Sequence, residues 1–88
     1  MKVHKVSSYK VMDIVFSRHA KLKIVQRKIP MRAVIAVVKF PEFKMQGYNL
    51  REELYKKFRN IYLKVVIKRK RNKIIVVTAH LVAKVKNN

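Results

Sequence analysis

From Ile61 to Lys68 the chain alternates without a break. Ile61, Leu63, Val65 and Ile67 fall on one side of an extended backbone, and Tyr62, Lys64, Val66 and Lys68 fall on the other. Only a strand with one face against a core repeats with a period of two. The tetrad RKRN, Arg69 to Asn72, contains the hairpin turn that follows. Ile74 to Leu81 is then apolar on both faces, the pattern of a central strand. The length of the RKRN connection decides the position of His80. A two- or four-residue loop places it on the face of Ile61 and Leu63; a three-residue loop moves it to the face of Lys64 and Lys68.

The rest of the chain reads as partners for this hairpin. Ile14, Val15 and Phe16, with Val11 before them, give a short first strand. Phe43 and Met45, extending to Tyr48 past a bend at Gly47, give another, and Leu54 to Arg59 a third, with Asn60 in the turn before Ile61. Between the first strand and these lie two helical segments. Ser17 is a good N-cap for a helix over Arg18 to Lys28, because its hydroxyl can accept from a free amide of the first turn. Pro30 ends that helix or starts the next. The segment PMRAVIAVVK, Pro30 to Lys39, is apolar nearly all round and reads as a helix packed on a sheet; a buried strand over Val34 to Val38 fits the same residues. The expected fold is α+β: a short N-terminal strand, then two helices packed on a twisted antiparallel sheet of three to four further strands. Eighty-eight residues make one domain, with a core over about 11–83 and basic or polar tails at 1–9 and 84–88.

On the first helix, His19, Lys23 and Arg27 follow at i, i+4 and i+8 and form one polar stripe. Leu22, Val25 and Ile29 form an apolar seam, and Ala20 and Ile24 edge the stripe on its other side.

Charge narrows the function. Twenty-three Lys and Arg face four acids, a net charge of +19. Internal ion pairs can neutralise few of these cations, and a polyanion would relieve their mutual repulsion. Nucleic acid is the expected partner. No apolar run approaches the roughly 18 residues of a membrane span, no signal-peptide apolar region opens the chain, and cysteine is absent, so a cytoplasmic address without disulfides is expected. Asp13, Glu42, Glu52 and Glu53 are too few and too scattered for a two-metal nuclease, and neither a metal nor another cofactor is expected.

Phe16, Ser17, His19, Ala20, Lys23 and Arg27 spell F-[ST]-x-H-A-x-x-[RK] followed by a second arginine. With Ile29, Phe40-Pro41 and the paired strands LKVVIKRKRNKIIVVTAH, they make residues 11–83 resemble the RelE/ParE toxin superfamily, and within it the group that bears this histidine. Lys23 replaces the usual first arginine, Lys28 the usual glycine, and His80 a common aromatic. The resemblance implies a RelE-like domain with a basic, concave sheet face. It also implies an acidic antitoxin partner and, for some relatives, action on the ribosome or on DNA gyrase. RNA is then favoured over DNA, and metal-independent RNA cleavage is the leading expectation. Such cleavage needs a base for the 2′-hydroxyl, cations for the phosphorane-like transition state and an acid for the leaving oxygen. His19, His80 and Lys68 are the catalytic candidates; Lys23, Arg27, Lys64, Arg69, Lys70 and Arg71 are the candidates for holding phosphate. A structural role fits His19 and His80 as well, and solvated positions fit Lys56, Lys57 and Arg59. Tyr48, Tyr55 and Tyr62 suit either packing or base stacking. A non-catalytic nucleic-acid-binding domain and an inhibitor of a protein target are the alternatives.

Overall fold

A computed structural model describes residues 13–85. The expected lead-in at 1–9, Val11 and the last three residues of the tail lie outside the described residues. The elements are β1 (Asp13–Phe16), α1 (Arg18–Gln26), α2 (Met31–Lys39), β2 (Phe43–Gln46), β3 (Arg51–Phe58), β4 (Ile61–Lys70) and β5 (Lys73–Val82). The strands form one sheet in the order β1-β5-β4-β3-β2.

The RelE-like expectation is overturned here. The sheet is mixed, five-stranded and strand-dominated, where the RelE-like expectation is two helices on an antiparallel sheet of three to four strands after a short first strand. β2 to β5 pair antiparallel, but β1 joins the outer edge of β5 in parallel, with Asp13 opposite Lys73 and Phe16 opposite Val76. The reason is the connection. Two helices separate β1 from β2, and a crossover of that length can place parallel a strand that no tight hairpin could. β1 and β2 therefore end on opposite edges of the sheet.

One face of the sheet carries both helices. Ala20 and Ile24 of α1, Ile29 between the helices, and Val34, Val37 and Val38 of α2 pack on Leu54, Leu63, Val65, Ile67, Ile74, Val76 and Ala79. Ile14 and Phe16 close this core from β1. Each fully buried Val, Leu or Ile contributes about 1.5–3 kcal/mol relative to exposure. The run at Val34 to Val38 is helical, as its i, i+3, i+4 burial requires.

The seam on α1 is the reverse of the expected one. Ala20 and Ile24 are buried, whereas Leu22 and Val25 are 56% and 74% exposed. The Ser17 hydroxyl caps α1 by accepting from Ala20 N at 3.0 Å. The other end closes in a Schellman motif, two residues earlier than the sequence indicates: Lys28 N donates to Val25 O and Ile29 N to Ile24 O. Lys28 holds the left-handed position of that motif with φ 53°, where glycine is the low-energy choice.

Candidate nucleic-acid interface

Among the described residues, no helix lies on the other face of the sheet. Directly opposed residues share a face, so the register assigns its rows. Phe43, Tyr55, Lys64 and His80 form one row; Met45, Glu53, Val66 and Thr78 the next; Arg51, Lys68, Ile75 and Val15 a third.

His80 reaches this face through a bulge. The RKRN connection has a two-residue loop, Arg71-Asn72, with Lys70 opposite Lys73. That parity alone would send His80 to the core face. But Val66 pairs with Thr78 while Ile67 pairs with Val76, so Val77 has no partner on β4 and the register slips by one. Beyond the slip, His80 stands opposite Lys64. The bulge lies where β1 ends and α1 begins: Ser17 N donates to Val76 O at 3.0 Å, and the Ser17 hydroxyl donates to Val77 O at 3.4 Å.

From the helix layer, Arg27 reaches the edge of β5 beyond β1 and donates from Nη1 to Ala79 O at 2.7 Å. Its charge acts on His80. Burial first, then Arg27 and Lys64, push the His80 imidazole below its ordinary value, with Glu53 opposing them. Beside His80 the face is ordered by Glu53. Its carboxylate accepts from the Tyr55 hydroxyl at 3.2 Å and pairs with Lys64 Nζ at 3.7 Å, while Lys64 Nζ lies 6.0 Å from the centre of the Tyr55 ring. Tyr55 is 1% exposed and is a packing residue. A depression of about 390 Å³ opens here, lined by Tyr55, Lys64 and Val82 to Val85.

The sequence-predicted residues divide between the two sides. His80, Lys64 and Arg27 come together. Lys68 shares their face, four residues from Lys64 along β4 and about 13 Å away at strand rise. His19 is exposed in the first turn of α1, in the layer on the opposite side of the sheet. Lys23 is on the same helix, its Nζ 3.4 Å from Gln26 Oε1.

Arg69 points to the helix-covered side and is engaged. It holds Glu52 with two hydrogen bonds of 2.7 and 3.1 Å, and Lys44 stands 3.8 Å from the same carboxylate. The Arg69 bond holds Glu52 below the usual carboxylate range, and Glu52 in turn raises the pKa of Arg69. Lys70 and Arg71 are exposed at the hairpin tip. Tyr62 packs against Phe43 with ring centres 6.0 Å apart and Lys57 Nζ over it at 5.7 Å. Tyr48 stands free of such packing at 86% exposure.

Sequence reasoning passed over Arg51 and Lys73 on this face and weighed Glu53 only as a metal ligand. The signal for Arg51 and Glu53 was the alternation Arg51, Glu53, Tyr55, Lys57, whose charged start hides a strand from hydrophobicity alone. Among the described residues no three His, Asp or Glu side chains gather as a metal site. Nor is any helix among them long and apolar enough to cross a membrane.

Fold and face together define a small α+β protein with one helix-covered sheet face and a second, cation-bearing face that carries no helix among the described residues. Comparison with protein-family models, curated proteins and solved structures finds no match.

Proposed function

We propose that this chain binds RNA on the open face of its sheet, with Lys64, His80 and Arg27 at the centre of the contact. One observation carries the reading: the Val77 bulge and the Arg27 bond bring two cations and a histidine to one spot on a face that is otherwise rich in lysine and arginine. The net charge of +19 supplies the long-range attraction. A titration of labelled RNA against salt tests this. The affinity should fall steeply as salt rises, by about 0.7 in log K per log salt for each phosphate neutralised on a single strand; an affinity indifferent to salt would reject it.

A second reading, a metal-independent ribonuclease of the toxin kind, is favoured by the depressed pKa of His80. A neutral imidazole beside two cations suits a general base. His80 would take the 2′-hydroxyl proton as the 2′-oxygen attacks phosphorus. Arg27 and Lys64 would hold the transition-state charge, and the departing 5′-oxygen would take a proton from Lys64 or water. His19 has no part in this scheme. An acidic antitoxin would dock on the same cations and exclude RNA. Incubating RNA with the protein in EDTA separates the two readings: cleavage lost in His80→Ala and retained in His19→Ala supports the enzyme, and intact RNA that is nevertheless bound supports the binding module.

A further inference from the structure

Two hairpin tips lie at the same end of the sheet, and they differ in chemistry. Arg51 opens β3 opposite Lys68, and β4 then runs on to Lys70 and its turn. The β2–β3 tip, residues 47–50, therefore stands beside the β4–β5 tip at about two strand spacings, roughly 10 Å. The β4–β5 tip is basic: Lys70, Arg71 and Lys73, all exposed. The other presents Tyr48 and Leu50, 86% and 80% exposed.

The β2–β3 turn is built against its own stability. Arg51 N donates to Tyr48 O at 3.0 Å, and the two residues between them, Asn49 and Leu50, have φ of 50° and 62°. That is the sign pattern of a type I′ turn. Asparagine suits its first central position, but the second is a glycine position, and a bulky residue there is strained. Leu50 gains no burial in return. An unfavourable backbone that holds two large side chains in solvent points to a contact made by those side chains. At the base of the turn, half-buried Arg51 adds a guanidinium whose Nε has no acceptor among the described residues.

We propose that this end of the sheet is a clamp for unpaired nucleotides: Tyr48 stacks on a base, flanked by Leu50, while Lys70, Arg71, Lys73 and Arg51 take the neighbouring phosphates. Asp13 and Glu52 also lie at this end, and Glu52 is held by Arg69 and Lys44. The roughly 10 Å between the tips is about three nucleotides of a stacked strand. A base is free to stack on a tyrosine only where it is unpaired, so the clamp selects single strands, loops or bulges over duplex. This inference rests on the reading of the protein as RNA-binding and names the RNA it takes.

The test is fluorescence anisotropy on the full chain, with an unpaired oligouridylate and a duplex RNA of equal length. Tyr48→Ala should lose about tenfold on the unpaired strand and less than about twofold on the duplex, while Tyr48→Phe keeps both. Leu50→Gly should melt higher than wild type and still bind the unpaired strand more weakly, which a merely structural turn would not do. Equal losses on both RNAs, or none on either, overturn the clamp and leave the open face as the binding site. Failure of the wild type to bind any RNA overturns both.

Discussion

His80 stands directly across from Lys64 because β5 contains one residue, Val77, that β4 does not match. Without that bulge the tight Arg71-Asn72 turn would send His80 into the core, and the open face would lose its only histidine among the described residues. The bulge sits where Ser17 ties the start of α1 to β5. The helix cap and the placement of the site are thus one piece of structure.

Ser17→Ala should consequently lower stability by about 1 kcal/mol, the usual value of an N-cap. For a domain of this size that lowers Tm by about 4–8 °C. Because the hydroxyl also meets the bulge, the variant should weaken RNA binding as well. Thermal melts and a binding titration check both; a stability loss with unchanged binding would separate the cap from the site.

Lys28→Gly should raise stability by about 0.5–1 kcal/mol. Lysine carries the left-handed cost at the Schellman position, and glycine does not. Lys28→Ala keeps a Cβ in the same conformation and should leave Tm near wild type. Melts of the three proteins are the check, and the gain must be confined to glycine.

Arg69 and Arg71 are two residues apart and should behave differently. Arg71→Ala removes an exposed tip cation, so RNA affinity and the salt slope should fall, the slope by about 1, with Tm unchanged. Arg69→Ala leaves Glu52 without its two hydrogen bonds and should lower stability by up to about 1 kcal/mol, with a smaller effect on RNA. Part of that stability is itself pH-dependent. The native pKa of Glu52 is depressed, so its contribution is full above the ordinary carboxylate value and is lost as pH falls through the folded one.

His80 gives stability and binding opposite responses to acid. Burial, Arg27 and Lys64 depress its folded pKa, so the unfolded chain holds the proton more tightly. The stability tied to neutral His80 is complete above about pH 6.5 and is lost as pH falls toward the folded value. A bound phosphate favours the imidazolium, so RNA affinity should rise over the same interval. His80→Gln should flatten both curves, and pH-dependent melts and titrations would show it.

Much of the hairpin was legible in the sequence, because Ile61 to Ile67 states its period in aliphatic side chains. The helix cap was legible too, from Ser17 alone. The seam of α1 was misread because Ala20 is small: Leu22 and Val25 weigh more on any hydrophobic scale, yet the close approach of α1 to β5 admits alanine. The start of β3 was hidden by three charged residues, Arg51 to Glu53. The parallel seat of β1 depends on where a two-helix crossover lands, and local sequence does not encode that. The position of His80 turned on a single unpaired valine in a uniformly apolar run, where period and propensity offer no marker for a bulge.

Charge-matched variants test the central claim most directly. Lys64→Ala, Lys68→Ala and Lys70→Ala together remove three cations from the open face. Arg18→Ala, Lys21→Ala and Arg32→Ala together remove three exposed cations from the helix layer. Measured against one RNA at one salt, the open-face variant should lose about 10- to 100-fold in affinity and about 2 in salt slope, the helix-layer variant less than about threefold. Equal losses would mean that RNA responds only to net charge, and would contradict a binding site on the open face of the sheet.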